Sequence, residues 1–223
     1  MTDFLMDTEH PIIIPYDTIQ LDGVLHIPSE VRGIVIFAHG SGSSRFSPRN
    51  QYIARVLQYS KFATLLFDLL TKEEEEVDEQ TMEYRFDVEF LANRLLVATN
   101  WILSNPSLHT LPMGYFGAST GGGAALLAST KIKHLIKAVV SRGGRPDLAM
   151  NVLPEVHAAT LLIVGGNDYP VIELNQKAYE HLRCVKKLEI VPDATHLFEE
   201  PGKLAEVATI ADEWFKKYLR LPT

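Results

Sequence analysis

Residues 113–129 read MGYFGASTGGGAALLAS, and the folding of this stretch decides the architecture. Met113 to Ala118 form a short apolar run of the kind that fills a strand buried on both faces. The run STGGGAALLAS follows at once and turns into a helix. Gly117 and Gly121 stand two residues either side of Ser119. A sharp strand-to-helix turn requires them, because the backbone crowds around the serine and a Cβ at either glycine would clash. Such a turn lifts the hydroxyl above the sheet and sets it at a helix N-terminus, where partial positive charge favours a developing anion. G-x-S-x-G also arises by chance. A Gly-rich turn that merely contains a serine therefore stands beside the nucleophile reading until the rest of the chain is placed.

Working outward, strands and helices alternate. Upstream, Ile12 to Gln20 and Gly23 to Pro28 read as a hairpin around Asp22-Gly23. The apolar run GIVIFAHG, Gly33 to Gly40, is a buried-type strand. Ser47-Pro48 then gives an N-cap with proline at the first helical position, opening a helix to about Lys61. Ala63 to Leu69 is the next strand, and the acidic KEEEEVDEQ, Lys72 to Gln80, reads as a solvated loop. A long helix runs from about Glu83 to Ser104, with Leu91, Leu95, Ala98 and Ile102 on one stripe. Downstream of the opening stretch come strands at Ile136–Ser141, Ala159–Gly166 and Lys187–Pro192. A helix from Glu173 to about Arg183 and a closing helix through Leu204, Val207, Ala211, Trp214 and Tyr218 complete the pattern. The alternation predicts an α/β fold: a mostly parallel sheet with an N-terminal antiparallel hairpin and helices on both faces. No Pro/Gly/Ser-rich linker divides residues 1–223, which are expected to form a single domain. In such sheets ligands sit beyond the carboxyl ends of the strands.

The whole-chain properties exclude several classes. The net charge is −7 with Lys and Arg scattered, which is not the footprint of a nucleic-acid binder. One cysteine, Cys184, leaves no internal disulfide and no cysteine-based metal cluster. The start, MTDFLMDTEHP, carries acids and lacks the apolar core of a secretory signal, and no run suits a membrane span. The expectation is a cytoplasmic protein with no membrane or nucleic-acid partner, its oligomeric state unreadable.

Three residues then line up with strand ends. Ser119 follows MGYFGA, Asp168 follows ATLLIVGG, and His196 in VPDATHLF follows the last strand. Asp168 alone reads equally as half of a turn-forming Asn-Asp pair. Asp193, three residues before His196, is a local rival better suited to the turn. His196 is the histidine that follows a strand downstream of Ser119; His134 and His157 precede strands, His181 lies within a helix and His109 follows a helix end. A serine hydroxyl is a poor nucleophile until a base accepts its proton, and a carboxylate fixes the tautomer of that base. Glycines in His39-Gly40-Ser41-Gly42 let a loop turn an N–H inward, so the backbone N–H groups of Ser41 and Thr120 are the candidate oxyanion donors. His39 itself reads as a hydrogen-bonding anchor.

With these parts placed, the chain resembles the α/β-hydrolase superfamily from about Gly33 to Leu219, without a large cap. Within it, the size is similar to the dienelactone hydrolase-related group. The resemblance implies hydrolysis of a carboxylic ester, thioester or lactone through an acyl-enzyme, by an esterase needing no cofactor and no metal. Dienelactone hydrolases proper carry cysteine at the nucleophile, where this chain has Ser119. The same triad serves acyl transfer to another acceptor, and a non-catalytic binding module on this fold is the third reading.

Further candidates lie at the same sheet edge. Arg142 and Arg145, in SRGGRPD after the strand IKAVVS, could hold a carboxylate or phosphate on a small, anionic ester or lactone. The structural alternative pairs Arg145 with Asp147 and turns Arg142 to a carbonyl. Arg45 is a similar candidate. Tyr169, Leu197 and Phe198 adjoin Asp168 and His196 and would either line the acyl pocket or pack elsewhere.

Overall fold

A computed structural model describes residues 4–221. One eight-stranded sheet organises them: β1 (Glu9–Tyr16), β2 (Ile19–His26), β3 (Gly33–Ala38), β4 (Phe62–Phe67), β5 (Met113–Ala118), β6 (Ile136–Arg142), β7 (Ala159–Gly165) and β8 (Lys186–Val191). Their spatial order is β1-β2-β4-β3-β5-β6-β7-β8. β3 through β8 pair in parallel, while β1, β2 and β4 are joined by antiparallel ladders. The antiparallel hairpin at one end of a parallel sheet matches the expectation.

Side-chain alternation splits the core in two. Along β3, Ile34, Ile36 and Ala38 join one apolar layer while Val35 and Phe37 join the other, as a pleat of period two demands. Helices α1 (Pro48–Tyr59) and α6 (Lys203–Tyr218) pack together over the second layer. α3 (Val88–Leu103), α4 (Thr120–Lys131), a kinked 3₁₀ segment (Pro146–Glu155) and α5 (Tyr169–His181) cover the first. The stripe Leu91, Leu95, Ala98 and Ile102 is buried there.

Two local readings are corrected. The hairpin turns at Asp17-Thr18, since Tyr16 pairs with Ile19, and Asp22-Gly23 lies inside β2. Asp17 takes the left-handed φ of +50° that the turn needs. Gly23 instead makes room, for a Cβ there would lie 3.0 Å from the Ile12 side chain. The acidic stretch is a helix, α2 (Lys72–Thr81), capped by Thr71: the Glu74 N–H donates to Thr71 Oγ1 at 3.2 Å and the Thr71 N–H to Glu74 Oε2 at 2.8 Å. That reciprocal box satisfies two orphan donors, and the acids of the first turn suit the helix dipole.

The strand order places the site. From β3 the chain moves outward to β4, then returns to β5 on the other side and continues to β8. The loops leaving β3 and β5 therefore diverge at neighbouring strand ends and open a crevice between them. They meet closely, since a Cβ on Gly40 would stand 3.0 Å from Ser119 Cβ. Among the described residues, no helix is long and apolar enough to cross a membrane.

Candidate active site

Ser119 joins β5 to α4 with φ at +52°, a strained left-handed value for a residue with a side chain. The end of β6 straps it in place. The Ser119 N–H donates to the Arg142 carbonyl at 3.2 Å, and the Ser119 carbonyl accepts from the N–H groups of Gly122 at 2.9 Å and Arg145 at 3.0 Å. The neighbouring glycines are sterically required: a Cβ on Gly117 would lie 2.3 Å from the Gly121 carbonyl oxygen, and one on Gly121 would lie 2.4 Å from that of Ala38.

Asp168 leaves β7 and His196 leaves β8, and the two side chains meet. His196 Nδ1 and Asp168 Oδ2 are 2.6 Å apart, with the carboxylate 12% and the imidazole 39% exposed. A carboxylate on Nδ1 keeps the proton there and frees the Nε2 lone pair. Gly143, at φ +52°, lets the chain pass beside the ring, since a Cβ there would come within 3.3 Å of His196 Cε1. Asp193 is exposed and takes φ +60° in the turn before the histidine. Ser119 and His196 open on one cleft of about 580 Å³.

The loop Gly40–Ser43 borders that cleft. Ser41 Oγ and Thr120 Oγ1 lie 3.4 Å apart. Thr120 opens α4, where a helix N–H has no internal acceptor. Neither the Ser41 nor the Thr120 N–H donates to another group among the described residues. His39 anchors the loop: its Nε2 accepts the Leu69 N–H at 3.0 Å, and its Nδ1 donates to the Gly40 carbonyl at 2.9 Å. Burial pushes its pKa down, against the Gly40 bond and nearby Asp68, so the ring is neutral. On the other side of the loop lies a second cleft of about 570 Å³, floored by Ser41 and Thr120 and lined by Asp68, Glu75, Asp78 and Glu79. Burial, with these neighbours, pushes the Glu75 carboxyl up.

The remaining candidates separate. Arg142 enters the cleft with Ser119 and His196 and is 7% exposed. Arg145 turns away and binds Asp147 twice, Nε to Oδ1 at 2.8 Å and Nη2 to Oδ2 at 2.7 Å; the shorter reach to a carboxylate two residues on wins. Arg45 is ion-paired with Asp68 and stacks 4.3 Å from the Phe46 ring centroid. Tyr169 is 68% exposed at the start of α5, and Phe198 is 1% exposed within the core. Leu197 lines the cleft. Arg49 and Asn50, from the first turn of α1, also line the cleft, beside the Ser47 cap, and sequence reasoning did not mark them as site residues. The Ser47-Pro48 cap was the available signal, because a helix beginning just after β3 points its first turn at the sheet's carboxyl edge. Among the described residues, no three His, Cys, Asp or Glu side chains gather as a metal site.

The family model of the dienelactone hydrolase family matches residues 21–220. This chain belongs to the dienelactone hydrolase family. Family and fold together support a hydrolase. A crystal structure of dienelactone hydrolase from Anabaena variabilis ATCC 29413 is 57% identical, covers 96% of this chain and 99% of that one, and superposes with a TM-score of 0.93. Est1E from Butyrivibrio proteoclasticus, with ferulic acid bound, is 16% identical at a TM-score of 0.80 over 93% of this chain and 98% of that one, which is a likeness of fold. A relative from Mycobacterium tuberculosis H37Rv, provisionally named a phosphoribosyl transferase, is 55% identical over 197 residues, or 88% of this chain. The matched part is 44% of that relative, so the chain spans less than half its length.

Proposed function

We propose that this hydrolase of the dienelactone hydrolase family is a serine esterase, cleaving a small carboxylic ester, thioester or lactone through an acyl-enzyme. The observation that carries this reading is the 2.6 Å contact between His196 Nδ1 and Asp168 on the cleft onto which the strained Ser119 also opens. Ser119 Oγ attacks the carbonyl carbon while its proton passes to His196 Nε2. The carbonyl π bond gives an oxyanion facing the N–H groups of Ser41 and Thr120. Collapse breaks the bond to the leaving group, which takes the proton from His196. Water then attacks the acyl-serine, gives its proton to the same nitrogen, and returns Ser119 with a carboxylic acid. Asp168 orients the ring throughout by its contact with His196 Nδ1.

The phosphoribosyl transferase name is not carried to this chain. It belongs to a protein of which the match spans 44%, and a serine hydroxyl backed by an imidazole and a carboxylate is suited to attack on a carbonyl. Fluorophosphonate labelling read by intact mass tests the proposal. One adduct on the native protein and none on Ser119→Ala is expected, with kcat of the variant falling to the residual level of roughly 10³–10⁴ over water. Near-normal ester turnover by Ser119→Ala would sink it.

A further inference from the structure

Arg142 is a buried guanidinium with almost nothing to bind. It leaves β6 into the cleft that holds Ser119 and His196, and it is 7% exposed. Its Nη2 reaches Asn50 Oδ1 at a long 3.4 Å, and its Nε and Nη1 are buried without a partner. No carboxylate of the described residues pairs with it. Burying a cation unpaired is costly, and such a group calls for an anion in the space that it faces.

A second cation shares the cleft. Arg49, from the first turn of α1, lines it and also has a buried Nε without a partner. Its Nη1 reaches Glu199 at 3.0 Å, but that carboxylate is 64% exposed at the rim, where water weakens the pair. The two guanidiniums are close enough for Arg49 to depress the proton affinity of Arg142. A flat carboxylate is satisfied by one guanidinium fork. A tetrahedral oxoanion has oxygens for the fork of Arg142 and a further one for Arg49 Nε, and carries charge for both.

We propose that Arg142 and Arg49 form a subsite for a phosphoryl group, so that the substrate of this hydrolase is an ester bearing a phosphate. The word substrate rests on the serine esterase reading; the subsite itself rests on the two guanidiniums. The unpartnered Nη1 of Arg142 takes one phosphate oxygen, Nη2 beside it takes a second in place of its long contact to Asn50, and Arg49 Nε takes a third. His196 and Ser119 stand on the same cleft, so the scissile carbonyl and the phosphate belong to one small molecule.

Phenyl phosphate and benzoate, matched in their aryl group, are the probes. Calorimetric titration onto the native protein reads the subsite whether or not Ser119 is a nucleophile. Protection of Ser119 from a neutral fluorophosphonate reads whether the bound anion blocks the active serine. Phenyl phosphate is expected to bind about 10–100-fold more tightly than benzoate, and Arg142→Gln to weaken it by about 10–100-fold. Arg142→Lys restores only part, because it keeps the charge and loses the fork. Arg183→Gln, at an exposed position after α5 and away from the cleft, leaves the affinity unchanged. A thermal melt confirms that each variant is folded. Equal affinity of the native protein and Arg142→Gln for phenyl phosphate overturns the subsite. Benzoate binding as tightly as phenyl phosphate overturns its assignment to phosphate. Binding without any fluorophosphonate adduct leaves the subsite standing and overturns the esterase reading instead.

Discussion

Asp168 and Arg142 have opposite relations to the folded state. Asp168 has its partner at 2.6 Å, so Asp168→Asn leaves a well-shaped site with the imidazole in the wrong tautomer. Its expected cost is about 10⁴ in kcat with little change in melting temperature, read by ester kinetics beside a thermal melt. Arg142 has no such partner. Burial, with repulsion from Arg49, pushes its pKa down to about 10, so the folded protein binds this proton less tightly than the unfolded chain does. That penalty is complete at every pH below about 10 and fades only above it. Arg142→Met is therefore expected to stabilise the fold by about 1–3 kcal/mol across the neutral range. That is about 2–4 °C in Tm per kcal/mol for a chain of this size. A lower Tm for the Met variant would assign Arg142 to holding the loop. At this scale the sequence was informative where chain order and strand ends constrain a residue, as for Ser119, Asp168 and His196. It was silent where direction matters. SRGGRPD holds two arginines three apart, and only the fold turns one into the cleft and the other onto Asp147.

Among the elements, the turn into α4 and the cap of α2 rest on different forces. The turn is a packing constraint between backbones. A methyl at Gly121 would press on the carbonyl oxygens of Ala38 and His39 at 2.4 and 2.6 Å, and neither can yield without moving β3. Gly121→Ala is expected to cost upwards of about 3 kcal/mol, beyond the usual range for an overpacked core, and to abolish fluorophosphonate labelling as Ser119 leaves the cleft. Near-native melting with labelling intact would show that β3 gives way. α2 rests instead on hydrogen bonds and charge. Thr71 and Glu74 cap each other, and Glu74 also pairs with Arg94 of α3. Thr71→Ala is expected to cost about 1 kcal/mol, measured by denaturant midpoint. The T-x-x-E signal for this helix was legible, but the run of four glutamates favoured a solvated loop; the box, the dipole and the tie to Arg94 overrode composition. The hairpin turn erred for a related reason. Asp-Gly is a strong turn signal, yet Gly23 was needed under Ile12 and beside Phe67.

Across the whole molecule, alternation of apolar runs with amphipathic stretches fixed the parallel sheet, because buried strands and covering helices have different periods. The strand order was not legible in the runs themselves, since β3, β4, β5 and β7 are all fully buried and interchangeable in composition. That order puts His39 at the carboxyl end of β3, beside the crevice, where it is neutral and buried. The consequence is a predictable response of global stability to acid. Burial holds the pKa of His39 down, and also that of His26 on β2. In the unfolded chain both titrate near about 6.5. Below that value the unfolded state takes up protons that the fold refuses, so stability falls with pH by at most about 1.4 kcal/mol per unit for each histidine. Asp78 adds a later step. Burial alone would raise its pKa, but the N–H groups of Arg85 and Tyr84 and the Arg85 guanidinium outweigh it and hold the carboxyl down. Its contribution is present above about 4 and is lost as pH drops through the lowered folded value. Melting temperature should therefore be level from about pH 7 to 9, decline below about 6.5, and decline again below about 4. The double variant His39→Gln/His26→Gln flattens the first decline, and Asp78→Asn flattens the second. A native protein equally stable at pH 5 and pH 7 would mean that the fold takes up these protons as readily as the unfolded chain, with His39 giving up the bond from the Leu69 N–H at no net cost.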